Sequence, residues 1–157
     1  MRRQLVALCA LLVLFVLPAF GQSDPSFSAA DVFALEWAVD PQMSPDGERI
    51  VYVRTSMDKM NDRRQQRLWL VGADGSSHRK LTGLDVAESS PRWSPDGNHV
   101  AFTADTDEGT EIFVYSFETR HATKITQLDR SPSGLRWSPD GSRIAFMTTR
   151  VDRRREV

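Results

Sequence analysis

Three four-residue stretches first suggest chemistry: Ser44-Pro45-Asp46-Gly47, Ser94-Pro95-Asp96-Gly97 and Ser138-Pro139-Asp140-Gly141. Each sets a hydroxyl two positions from a carboxylate, a pairing that could orient or activate a nucleophile. The same quartet also has a conformational reading. Proline presets φ for the second position of a type I turn, aspartate bonds back to the backbone, and glycine accepts the positive φ that closes a hairpin. A catalytic group is needed once, whereas this quartet recurs three times in one local context. We therefore read it as a turn and assign no catalytic residue.

The remaining candidates also read as structure. Asp105-Thr106-Asp107-Glu108-Gly109-Thr110-Glu111 resembles a calcium loop in composition. Its glycine comes one position early and the late glutamate is missing, so a solvated hairpin turn is expected. His78, His99 and His121 have no second ligand at metal-binding spacing. Trp37, Trp69, Trp93 and Trp137 could form an aromatic platform, but their recurring positions favour core packing. Arg63-Arg64 and Arg153-Arg154-Arg155 read as solvated loop charge. Neither Asn61 nor Asn98 starts a glycosylation acceptor. No metal and no cofactor is implied.

The elements that position these residues follow from self-comparison. A large apolar residue precedes each turn: Met43, Trp93 and Trp137. An apolar run follows each: Ile50 to Val53, Val100 to Phe102 and Ile144 to Met147. A second block also repeats, from Leu68-Trp69-Leu70-Val71 to Lys80-Leu81-Thr82 and from Ile112-Phe113-Val114-Tyr115 to Lys124-Ile125-Thr126. The offset between these blocks is 44 residues, and the first unit is six residues longer, absorbed by the polar stretch from Met57 to Arg64. Short runs rich in Val, Ile, Phe, Tyr and Trp, punctuated by Gly and Asp, predict strands joined by hairpins. A unit of about 40–45 residues with four short strands predicts a β-propeller blade. Met43, Trp93 and Trp137 are expected to point between adjacent blades. The fold class expected is all-β, an incomplete propeller of about three blades with the last one cut short. The units are expected at 41–90, 91–134 and 135–157, after an N-terminal segment at 22–40. In that segment, Ser28-Ala29-Ala30-Asp31 has the form of a helix cap, and Ala30, Phe33, Ala34 and Trp37 recur at helical spacing. A short helix over about 29–38, ending before Pro41 and packed through Phe33 and Trp37, is predicted.

Residues 1–21 read as an address. Arg2 and Arg3 precede an apolar run from Leu5 to Phe20, and Ala19-Phe20-Gly21 has the small-residue pattern of a cleavage site. As a helix the run spans roughly 24 Å, short of a ~30 Å hydrocarbon core, which favours a cleaved signal over an anchor. Cleavage between Gly21 and Gln22 would remove Cys9, the one cysteine. Leu8 is bulky for a lipoprotein site. The expected product is exported, periplasmic or secreted, bacterial, free of disulfides and free of membrane after cleavage.

Composition agrees with a globular domain. The 157 residues are 40% apolar and 26% charged, with 20 basic and 21 acidic side chains. No basic surplus supports nucleic-acid binding, and the apolar content with low net charge argues against disorder.

The run Leu35-Glu36-Trp37, Asp40 to Gly47 and Arg49 to Arg54, with Leu68-Trp69-Leu70 and His78 to Thr82, resembles the propeller repeats of the prolyl-oligopeptidase family of serine peptidases. The dipeptidyl-peptidase and acylaminoacyl-peptidase type is the nearest subgroup. The resemblance covers Phe27 to Val157. It implies an N-terminal propeller that gates short peptides to a C-terminal α/β-hydrolase domain carrying Ser, Asp and His. No two glycines here lie four apart, so no Gly-x-Ser-x-Gly is present, and no catalytic residue carries over. The quartet also occurs in periplasmic propellers similar to the Tol-system translocation protein. A propeller that docks other proteins is therefore the competing expectation. Closed propellers have roughly four to eight blades. A chain with about three is expected to be part of a longer one and to associate when isolated.

Overall fold

The computed structural model describes residue 28 and residues 31–58 and 60–149. The expected signal segment, the Gly21–Gln22 cleavage site and Arg153 to Arg155 lie outside the described residues. Among the described residues no helix is long and apolar enough to cross a membrane.

Among the described residues, ten strands form three sheets. The first sheet holds β1 (Glu36–Met43), β2 (Arg49–Asp58), β3 (Arg63–Gly72) and β4 (Arg79–Lys80) in sequential antiparallel order. The second repeats it with β5 (Glu88–Trp93), β6 (His99–Thr106), β7 (Gly109–Ser116) and β8 (His121–Lys124). The third pairs β9 (Ser133–Trp137) with β10 (Ile144–Met147). The meander order, the repeat and the all-β content are those of propeller blades. The extra length of the first unit is visible here. β2 and β3 have ten residues each, against eight in β6 and β7, and their connecting turn is also longer.

The predicted helix over 29–38 is not formed. Among the described residues of that span, one 3-10 turn at Asp31–Ala34 forms, and Glu36 onward is strand β1. The Ser28 cap does engage Asp31, whose carboxylate accepts the Ser28 N–H at 2.6 Å and its hydroxyl at 2.8 Å. The helical spacing covers too few residues to nucleate a helix against the pairing that β2 offers. Glu36, Trp37, Ala38 and Val39 instead pair with Ser56, Thr55, Arg54 and Val53. Phe33 and Trp37 stay exposed, at 46% and 38%. Pro41 does not end a helix; it lies at a bulge between Val39 and Gln42, where the missing N–H removes no ladder bond.

That bulge recurs. Asp40, Ser90 and Gly134 each stand four residues before the turn serine and have φ of 48°, 55° and 63°. The register of β1, β5 and β9 shifts there in each case.

Two cores lie between facing sheets. Val51, Val53, Leu68 and Leu70 of the first sheet pack against Val100, Phe102, Phe113 and Tyr115 of the second. Ala101 and Ile112, on the other side of the second sheet, pack against Leu135, Trp137 and Ile144. β6 is therefore buried on both faces, whereas β2 buries alternate residues only. The period-2 geometry of strands makes this difference a direct readout of which sheets are sandwiched.

Candidate functional site

The three quartets occupy the turns β1–β2, β5–β6 and β9–β10, and their bonding is the same each time. Ser44, Ser94 and Ser138 donate their hydroxyls to Asp46, Asp96 and Asp140 at 2.5 Å. The same hydroxyl oxygens accept the N–H of Arg49, His99 and Arg143 at 2.9 Å. Each aspartate then accepts a backbone N–H two residues on, from Glu48, Asn98 and Ser142. Gly47, Gly97 and Gly141 take φ of 75°, 70° and 70°. Each serine hydroxyl is thus consumed inside its turn, and none is presented as a nucleophile. The hydrogen bonds hold all three carboxyls below the usual carboxylate range, Asp140 at about 2.

Neighbouring turns stand side by side. A methyl group on Gly97 would meet Pro45 Cδ at 3.6 Å, and one on Gly141 would meet Pro95 Cδ at 3.7 Å. The residue before each turn links one unit to the last. Trp93 Nε1 donates to the Gln42 carbonyl at 2.9 Å, and Trp137 Nε1 donates to the Arg92 carbonyl at 3.0 Å. Met43 has no preceding sheet among the described residues and is 61% exposed. Arg49 adds a second link. Its guanidinium lies 4.9 Å from the Trp93 ring centroid and 4.5 Å from that of Phe117, and donates to the Gly97 carbonyl at 3.0 Å. Arg92 reaches back to Asp40 at 2.8 Å.

Two buried glutamates have roles that the sequence reading did not assign, Glu88 unmentioned there and Glu111 placed in a solvated turn. Glu88 on β5 accepts the Leu68 N–H at 2.8 Å and the Thr82 hydroxyl, both from the first unit. Burial pushes its carboxyl up, although both bonds favour the charged form. Glu111 on β7 accepts the Thr126 hydroxyl at 2.5 Å and the Leu128 N–H at 2.9 Å, which hold its carboxyl down. Thr82 and Thr126 are repeat equivalents, and each meets a buried carboxylate, Thr82 from β5 of the next sheet and Thr126 from β7 of its own sheet. The signal was the recurring Lys-apolar-Thr; neither partner shares a repeat position, so periodicity could not find it.

The acidic stretch from Asp105 to Glu111 is the end of β6, a two-residue turn and the start of β7. Asp105 accepts the Thr110 hydroxyl, and Glu108 pairs with Lys124 at 2.9 Å. Among the described residues no group of three or more His, Cys, Asp or Glu side chains could hold a metal. The tryptophans divide. Trp93 stacks on Phe117 at 5.1 Å in the inter-sheet core, whereas Trp69 lies on the open face of the first sheet with His78 at 4.9 Å and Arg54 at 4.5 Å. Trp37 lies beneath Arg64 rather than in a core.

Comparison with known proteins places this arrangement. A family model described as a TolB beta propeller domain matches residues 32–155. An uncharacterised peptidase of Bacillus subtilis, YuxL, is 31% identical over 98 residues, covering 62% of this chain and 15% of the relative. The Tol-Pal system protein TolB 1 of Novosphingobium aromaticivorans is 34% identical over 67 residues, covering 43% of this chain and 14% of the relative. The uncomplexed acylaminoacyl peptidase of Pyrococcus horikoshii superposes with a TM-score of 0.61 at 22% identity, over 78% of this chain and 19% of that structure. The chain thus spans less than a fifth of each of these proteins. The expected resemblance to peptidase propellers and the incomplete-propeller fold are both met.

Proposed function

Because this chain belongs to the TolB β-propeller domain family, we propose that it is the propeller portion of an exported serine peptidase and gates short peptides toward a hydrolase domain. The similarity to a bacterial peptidase is the observation that carries this reading. The geometry supports it. All three turn serines are spent in hydrogen bonds, so the described residues contribute shape rather than bond-breaking chemistry. Strands β1 and β5, and β5 and β9, lie next to each other as the first strands of successive sheets. In a closed propeller such first strands surround a central channel, and in this reading that channel is what admits short peptides. The substrates are short peptides, and their cleavage belongs to a Ser-His-Asp site outside these residues.

The similarity to a Tol-Pal protein favours a second reading, a propeller that docks other proteins without cleaving them. Hydrolysis of a graded peptide series by the natural full-length product separates the two. Gating predicts cleavage of peptides of a few residues and a steep loss of kcat/KM once the substrate is folded. A docking propeller predicts no hydrolysis at any length and retention of a protein partner.

A further inference from the structure

A cleft of about 770 Å³ opens where the β3–β4 turn of the first sheet faces the second sheet. Leu70 and Phe117 give it apolar surface, and three arginines line it, Arg49, Arg79 and Arg120. Arg49 is committed to Trp93, Phe117 and the Gly97 carbonyl. The other two are not committed to acids: among the described residues neither Arg79 nor Arg120 has a carboxylate within ion-pair distance. The cleft's own acids do not change this. Asp74 is turned into its loop, accepting the Ser76 N–H at 2.9 Å, and Glu48 pairs with no cation among the described residues.

The backbone at Arg120 is a separate observation. Its φ is 56°, in the left-handed region, where glycine sits without penalty. The second sheet thus carries an arginine at a conformational cost, and that arginine stands at the cleft.

We propose that this cleft binds an acidic peptide segment, with carboxylates on Arg79 and Arg120 and an apolar side chain between them on Leu70 and Phe117. Guanidinium groups match carboxylates in a two-bond fork, and the volume lies in the range of sites that enclose small ligands. Arg79 donates to the Lys80 carbonyl at 3.1 Å, and neither it nor Arg120 has a carboxylate partner among the described residues; apolar surface beside two such cations selects a peptide over a bare anion. This site goes beyond the peptidase reading and does not depend on it.

The test is fluorescence anisotropy on the natural full-length product, with fluorescein-labelled Glu-Phe-Glu amide against Gln-Phe-Gln amide. Prior treatment with a fluorophosphonate removes capture by any hydrolase site. The acidic peptide should bind about tenfold or more tightly than its neutral counterpart, and added salt should weaken it. Arg79→Ala and Arg120→Gly should each reduce affinity about tenfold. Arg120→Gly should do so with an unchanged or higher Tm, because glycine relieves the backbone. Equal binding of the two peptides would overturn the proposal. So would unchanged affinity in both variants, or a fall in Tm that accounts for the loss in Arg120→Gly. Displacement of the peptide by inorganic phosphate at concentrations near the peptide's own Kd would overturn it in favour of a small-anion site.

Discussion

Glu88 shows how one side chain ties two repeat units together. Its carboxylate is buried and serves the Leu68 N–H and the Thr82 hydroxyl of the preceding unit. Glu88→Ala leaves both without a partner and should cost about 2–3 kcal/mol in denaturant unfolding. Glu88→Gln keeps an acceptor for Leu68 and should cost less than about 1 kcal/mol. The pH dependence separates them further. Burial raises the folded-state pKa of Glu88 above its unfolded value. Its contribution is therefore greatest below the unfolded pKa and is lost as pH rises through the folded one. Glu88→Gln should flatten that decline. The turn aspartates have the opposite sign. Asp46, Asp96 and Asp140 are held low, so their contribution is present above the unfolded pKa of about 4 and is lost as pH falls toward about 2, the value for Asp140. A Tm profile across acid pH should drop over this window, and less so in the Asp96→Asn variant.

At the scale of elements, the first strand of each unit carries a bulge with a left-handed residue, and only the third copy fills it with glycine. Ser90→Gly should therefore stabilise the second unit by up to about 1 kcal/mol, measured by chemical denaturation. An unchanged or lower stability would mean that the Ser90 side chain contributes more than its backbone costs. The strands themselves were legible, because β-branched and aromatic runs recur between Gly and Asp turns at a fixed offset. The β1 strand was not. Its Pro41 reads as a helix stop, and a proline is admitted to a strand only by the bulge, which pairing with β2 creates. The division of the tryptophans was equally hidden. Trp69 and Phe113 are repeat equivalents, yet Phe113 is buried against the first sheet while Trp69 lies on an open face with Arg54 and His78. A repeat predicts which way a side chain points; what lies opposite depends on the next sheet.

For the whole molecule, the second sheet defines the complete arrangement: a neighbour on each face and a buried strand through its middle. The outer sheets lack that, and apolar side chains remain exposed on them, with Met43 at 61% and Met147 at 64%. A protein made only of residues 22–157 should associate in solution through these faces, seen as concentration-dependent mass in sedimentation. A monomer with a single sharp melt would contradict that. The sheets, turns and inter-unit links account for a scaffold, and the similarity to a peptidase motivates the proposed function. The proposed chemistry was legible only as a resemblance, since the serine hydroxyl of each of the three repeated quartets is spent within its own turn.

The proposed function makes this propeller part of a serine peptidase. Labelling of the natural full-length product with a fluorescent fluorophosphonate tests it most directly. The account predicts one covalently labelled band that an antibody against residues 22–157 also recognises, with the label lost on heat denaturation before treatment. An antibody-reactive band that takes up no label, while retaining a protein partner on purification, would contradict it and establish the docking propeller instead.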